Sequence, residues 1–236
     1  MAKNSHIKFI CEDYDSFQLY PPVPATKMVP LWYKDLSIFI KNAPGKVNQE
    51  NVPSVKKCMP VLDYITSGYI LRNSYQIRVS PYDDNQGIRH FKLDCNRKDY
   101  VGAHPWHQAP IEIDGSKTHY FKINQQWVVR TPPGYSSLIY QPYYNFRKEF
   151  SFLPAVVDTD VHPACIGLVG IIKSQEEFFI NPGDPLVVVL PFKREEWIST
   201  IEHDPDLIKK SNFKLYLQGL WHGFYQKFLH NKKSYS

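Results

Sequence analysis

Between Val55 and Phe192 the chain is a succession of short apolar runs cut apart by turn formers, and few folds accept that pattern. Runs at 69–71, 76–79, 88–93, 120–123, 127–130, 137–140, 155–157, 166–172, 178–180 and 186–190 read as strands. Within 76–79, Ile77 and Val79 fall on one face. The stretch Asp83-Asp84-Asn85-Gln86-Gly87 then reads as a turn that sends 88–93 back antiparallel. Prolines (19) outnumber glycines (11), and aromatic residues reach 15%, which suits short strands and rigid loops better than a helical bundle. No strand-helix alternation is visible. The expectation is a mainly β fold, an antiparallel barrel or sandwich of β-clip or jelly-roll-like form.

The flanks read differently. Residues 1–54 form an irregular segment expected to pack on the core, with a strand at 7–11, a short helix opened by Pro30, and a loop over 41–54. Residues 55–192 make the β domain. Residues 193–236 form a helical segment: a short helix over 193–202, a break at Asp204-Pro205, then a longer helix. There Phe213, Leu217, Leu220, Trp221, Phe224 and Phe228 recur at helical spacing. That stripe either docks on the sheet or pairs helices between copies.

Charge is uneven along the chain. Of 28 basic and 23 acidic residues, giving a net charge of +5, the stretch 205–236 holds six lysines and one acid, Asp206. The preceding body is therefore neutral, which disfavours nucleic acid as a partner. The four cysteines form no CxxC, the N-terminus is too polar for a signal peptide, and no apolar run approaches the roughly 20 residues that span a bilayer. A cytoplasmic protein without membrane contact is expected, in the host cytoplasm or the virion if the protein is phage-encoded.

Two residue groups invite chemistry. In Gly102-Ala103-His104-Pro105-Trp106-His107-Gln108-Ala109-Pro110-Ile111-Glu112, two histidines and a carboxylate lie within nine residues, the donor types of a two-His-one-carboxylate site. The segment resembles the first cupin motif, and Pro132-Pro133-Gly134 resembles the PxG of the second. That resemblance implies a divalent metal (Fe, Mn or Zn) on His104, His107 and Glu112. The third cupin histidine corresponds to Ser137, and HPWH on a strand turns its imidazoles to opposite faces. No tight metal site, and no cofactor, is therefore expected.

The second group runs from Trp127 to Leu186. WVVRTPPGYSSL, then LPAVVDTD, then an apolar run, then FINPGDPL resembles the second half of trimeric dUTPases and dCTP deaminases. The resemblance implies the β-clip fold and a ligand pocket at Asp158 and Asp160 with Tyr135, Ser136, Ser137 and Arg130. Val161 stands where that family has a stacking tyrosine, and PGYS lacks the loop arginine, so dUTPase activity is not expected. Arg130 and Arg194 are candidate anion grips, with Glu195 and Glu196 as the nearer partners for Arg194. Tyr135, Tyr140, Tyr143 and Tyr144 form a candidate stacking platform.

Over nearly the whole chain, LYPPVPA, VPLWYKDL, VKKCMPVLDYITSGYIL, RTPPGYSSLIYQP, LPAVVDTD and INPGDPLVVVLPFKREEW resemble an uncharacterised family of tailed marine phages and some bacteria. That implies a phage-associated setting and no reaction. The function expected is a non-catalytic binding or structural/assembly protein that forms homo-oligomers or meets a phage or host protein. The alternatives are a metal-dependent cupin-type enzyme and a diverged dUTPase-like nucleotide-pocket protein.

Overall fold

The computed structural model describes residues 5–41, 51–105, 107, 112–113, 116–117, 119–220, 225–231 and 233–235. The early strands are β1 (Lys8–Cys11), β2 (Val23–Pro24), β3 (Phe39–Lys41), β4 (Asn51–Pro53), β5 (Tyr69–Arg72), β6 (Ile77–Asp83), β7 (Arg89–Cys95), β8 (Val101–His104) and β9 (Glu112–Ile113). The later ones are β10 (Ser116–Lys117), β11 (His119–Asn124), β12 (Trp127–Arg130), β13 (Tyr135–Tyr140), β14 (Phe150–Phe152), β15 (Ala155–Val157), β16 (Gly167–Ile172), β17 (Phe178–Ile180) and β18 (Pro185–Lys193). The α-helices are α1 (Tyr14–Leu19), α2 (Leu31–Asp35), α3 (Met59–Thr66) and α4 (Pro205–Leu220).

The chain divides into two compact units, Met1–Met28 with Gly68–Arg194 and Val29–Ser67 with Glu195–Ser236. The first is mainly β. Its sheets, all antiparallel, run β15-β13-β18-β5-β2, β14-β16-β11-β8, β17-β6-β7, β1-β12 and β10-β9. No sheet closes into a barrel among the described residues, so the architecture is of the sandwich or clip kind.

The core follows from the apolar runs. Leu186, Val187, Val188 and Val189 of β18 are all buried. A strand buried on both faces reads as a continuous apolar run rather than an alternation. β12 alternates instead, with Trp127 and Val129 inward and Val128 and Arg130 partly exposed. β11 and β16 meet in a register that sets Phe121 opposite Gly170. A β-carbon at 170 would lie 2.3 Å from the Phe121 ring. Glycine there leaves room for the Phe121 ring against the neighbouring strand.

The β6–β7 hairpin forms as its sequence implies. Asp84 Oδ1 accepts from the backbone N–H of Gln86 at 2.9 Å and of Ile88 at 2.8 Å. Gly87 supplies a φ of +74°.

A second turn is held from inside. The Asn73 side chain donates to the carbonyls of Tyr75 (2.6 Å), Ile180 (2.9 Å) and Asn181 (3.2 Å). Its Oδ1 accepts from the Tyr100 hydroxyl at 2.9 Å, and that hydroxyl accepts from Ser74 N–H at 3.1 Å. The Asn73 backbone bonds Asp184 and Gly183 at 2.8 Å each. This knot ties Asn181-Pro182-Gly183-Asp184 to the end of β5. Burial pushes the Tyr100 phenol up to about 12.

The second unit holds β3 paired with β4, helices α2 to α4, and the residues after α4. Four expectations need correction or qualification here. The sequence places a loop over 41–54, yet 51–53 is β4, paired with β3. Residues from Val55 were read as β, yet 59–66 is α3. Its start is signalled by a 3-10 turn capped by Ser54 and by Pro60 in the first helical turn, where the missing N–H has no partner to lose. The sequence places a short helix over 193–202, whereas Lys193 ends β18 and residues 194–204 form neither helix nor strand. Ile198, Thr200 and Ile201 are β-branched and exposed, so neither propensity nor packing favours a helix. α4 does begin at Pro205, capped by Asp204 Oδ1 on the N–H groups of Asp206 and Leu207. Phe213 and Phe228 of the proposed stripe are exposed. Trp221 and Phe224 lie outside the described residues.

Elsewhere in that unit, Asp63 of α3 accepts from Lys233 at 2.6 Å and meets His230 Nε2 at 3.0 Å. The Lys233 hydrogen bond chiefly holds the Asp63 carboxyl below its ordinary value. No helix among the described residues is long and apolar enough to cross a membrane.

Candidate functional site

The Asp158-Thr159-Asp160 turn follows β15 and lies beside the start of β13, because β13 pairs with both β15 and β18. The turn closes on itself: the N–H groups of Val161 and His162 donate to the Asp158 carbonyl at 3.0 and 2.8 Å. Thr159 is fully buried. Its hydroxyl lies 2.8 Å from that of Thr131 and 2.9 Å from that of Ser137, so two loops and a strand share one polar contact.

Arg194 completes the corner. The β13–β18 register sets Tyr135 opposite Lys193, which leaves the next residue beside Gly134. Arg194 N–H donates to the Gly134 carbonyl at 2.8 Å. Its guanidinium reaches Asp160 Oδ2 at 2.5 Å and Oδ1 at 3.0 Å, Asp158 Oδ1 at 3.1 Å and Ser136 Oγ at 3.1 Å. Two-pronged guanidinium–carboxylate bonding of this kind is the strong form of the ion pair. Gly134, with a φ of +83°, turns its own N–H onto Asp160 Oδ2 at 2.9 Å. The Ser136 hydroxyl donates to Asp158 Oδ1 at 2.6 Å.

The acids are therefore engaged within the fold. The Asp160 side chain is 6% exposed, whereas that of Asp158 is 59% exposed. Hydrogen bonding from Arg194 is the main force that holds the Asp160 carboxyl down to about 2, with the Gly134 N–H assisting against the loss of hydration. A carboxylate so stabilised is a poor proton acceptor near neutral pH. The same pairing raises the Arg194 pKa.

The structure thus gathers Asp158, Asp160, Tyr135, Ser136 and Ser137 in one corner. Tyr135 adds a hydroxyl contact with Ser5 at 3.2 Å. Arg130 turns to the far side of the turn, where it donates to the His162 carbonyl. Arg194 is the member that local reasoning assigned elsewhere, to Glu195 and Glu196. Only the strand register brings it to acids 34 and 36 residues earlier.

The histidine segment is laid out along the chain. His104 ends β8 opposite Tyr120, and Glu112 opens β9 opposite Lys117. The Glu112 side chain, Trp106 and residues 108–111 lie outside the described residues. Among the described residues, no group of three His, Cys, Asp or Glu side chains gathers in the manner of a metal site.

No family model and no curated protein matches the chain. Among solved structures, the native dUTPase of EIAV is similar to this chain over 59% of its length and 85% of the dUTPase, at 10% identity and a TM-score of 0.33. An overlap this loose transfers no activity.

Proposed function

We propose that this chain is a non-catalytic assembly protein that joins a second copy of itself through the segment following β18. The observation that carries the reading is the exposure of Trp197 (86%), Ile198 (95%) and Ile201 (100%) in one stretch outside helix and strand. Soluble chains seldom leave contiguous large apolar side chains in water unless a partner covers them. Leu207, Ile208, Phe213 and Tyr216 of α4 extend the apolar surface.

Charge favours a second copy as that partner. Residues 195–206 carry five acids (Glu195, Glu196, Glu202, Asp204 and Asp206) and no lysine or arginine, while 207–236 carries six lysines and no acid. The acidic arm of one copy therefore complements the lysine-rich C-terminal segment of another, and a two-fold arrangement satisfies both contacts at once. The engaged acids at Arg194 support a structural rather than catalytic role for that corner. The phage-associated setting rests on the sequence resemblance alone.

Sedimentation at micromolar concentration tests the reading. A dimer or larger assembly is expected, returning to monomer in an Ile198→Asp/Ile201→Asp variant that keeps its circular dichroism spectrum. A monomeric wild type, or an assembly indifferent to that variant, overturns it. A phage or host protein would then be the occupant to seek.

A further inference from the structure

The five-stranded sheet ends in two edges of unlike character. β2 is two residues long and contains Pro24, which offers no N–H to a further strand. β15 carries neither proline nor charge. Edges of the other sheets are blunted. β7 bears Arg89, Lys92 and Asp94. The Phe152 N–H of β14 donates to Gln141 Oε1 at 3.0 Å, and the Phe179 carbonyl of β17 accepts from Arg147 at 3.0 Å. Among the described residues, no side chain hydrogen-bonds the backbone of β15. An open, uncharged edge is a template for another strand. We infer that β15 receives the stretch 197–201 of a second copy as an added strand. The inference rests on the assembly reading above and names the surface that the arm joins.

Both faces of that edge are apolar and reach water. Val156 is 63% exposed. The register sets it beside Leu138 of β13, which in turn lies beside Leu190 of β18, and both leucines are half-buried. Phe192, two residues on from Leu190, shares this face and is exposed. Ala155 is exposed on the opposite face.

The arm has the matching character. Residues 195–204 contain no glycine or proline, and 197–201 reads Trp-Ile-Ser-Thr-Ile. Aromatic and β-branched residues of this kind favour strands. Strand alternation puts Trp197 and Ile201 on one face and Ile198 on the other. With the first two over Val156 and Leu138, Ile198 falls beside Ala155. Main-chain bonds along the edge then supply affinity, and the side chains fix the register.

A second copy is the occupant because the arm and the edge both remain in water within one copy. Each copy holds one arm and one edge, so a two-fold exchange covers both and leaves nothing for a third chain. The area suffices. A buried aromatic side chain removes roughly 150–250 Å², so two arms of three large apolar residues, with the sheet surface they cover, reach the order of 1,200 Å² or more, the size of a stable interface.

Photo-cross-linking of the full chain with p-benzoylphenylalanine in place of Val156 tests the inference. A covalent dimer is expected whose joined peptide contains residues 197–201. No covalent dimer, a cross-link within one copy, or a joined peptide from any other segment, β15 of the second copy included, overturns it. Sedimentation supplies an independent readout. Val156→Asp should raise the Kd of assembly about tenfold or more, because it sets a carboxylate in an apolar contact. It should keep the circular dichroism spectrum, since the side chain is exposed. Ile10→Asp, at an exposed apolar site on β1, should leave assembly unchanged; equal dissociation by both variants overturns the inference. If Val156→Asp assembles as the wild type does while Ile198→Asp/Ile201→Asp dissociates, the inference falls and the assembly reading stands. If the wild type is monomeric, both fall.

Discussion

Two turns bracket β18, and they are held by opposite means. Before the strand, the turn at 181–184 is gripped by Asn73 and Tyr100, neutral groups with almost no exposure to water. After it, the loop at Gly134 and the turn at 158–160 are gripped by Arg194 through charge, at a position that solvent partly reaches. A buried neutral hydrogen bond acts in a low dielectric and ignores salt, and losing one partner strands the other. A surface ion pair is screened, and water readily replaces it. The first corner defines the core, and the second adjusts its rim.

The sharpest way to break that contrast is Asn73→Ala. It strands the Tyr100 hydroxyl and three carbonyls at once, and a loss of about 3 to 5 kcal/mol is expected in urea unfolding. A loss below about 1 kcal/mol would show that the knot does not hold the core. Tyr100→Phe is milder, about 1 to 3 kcal/mol, since Ser74 N–H and Asn73 Oδ1 each lose a partner. The Tyr100 phenol also gives an alkaline signature. With its folded value near 12 against 10 unfolded, the stability it contributes is complete below pH 10 and is lost as pH rises from 10 to 12. Ultraviolet titration should find one tyrosine ionising late, and Tyr100→Phe should remove it.

Arg194→Ala is expected to lower Tm least, and the gap from wild type should narrow in about 1 M salt, where the Debye length falls to about 3 Å. A gap unchanged by salt would make the corner as buried in character as the Asn73 knot. Acid sharpens the point. The Asp160 carboxyl titrates near 2 rather than 3.8, so its contribution is present above pH 3.8 and is lost as pH falls from 3.8 toward 2. Asp160→Asn should flatten that limb of the stability curve.

What could be read in the sequence was local. The β6–β7 hairpin was legible because Asp84 and Gly87 specify the turn from within five residues. The turn at 181–184 was legible as a turn, but its anchor Asn73 stands 107 residues from Ile180, and no pattern near either end reveals the pairing. Asp158 and Asp160 were legible as a pair, while Arg194 pointed to its neighbours Glu195 and Glu196 until the register of β13 against β18 was known. α3 was missed because Val61, Leu62 and Ile65 suit a strand as readily as a helix, and the deciding signals were Ser54 and Pro60 at its start. The short helix expected over 193–202 differs in the other direction, since the exposed β-branched Ile198, Thr200 and Ile201 do not support one.

β18 is last in chain order among the strands, yet it lies between β13 and β5 in the middle of the five-stranded sheet. During synthesis, Tyr69–Arg72 and Tyr135–Tyr140 therefore leave the ribosome with no shared neighbour, each presenting an open edge. The sheet can close only when residues up to Lys193 have emerged. Pairings this distant in sequence are slow to form, and unpaired edges invite aggregation while they wait. A nascent chain of this kind carries two open edges until its final strand arrives, and truncation before Lys193 should leave an insoluble product rather than a smaller domain.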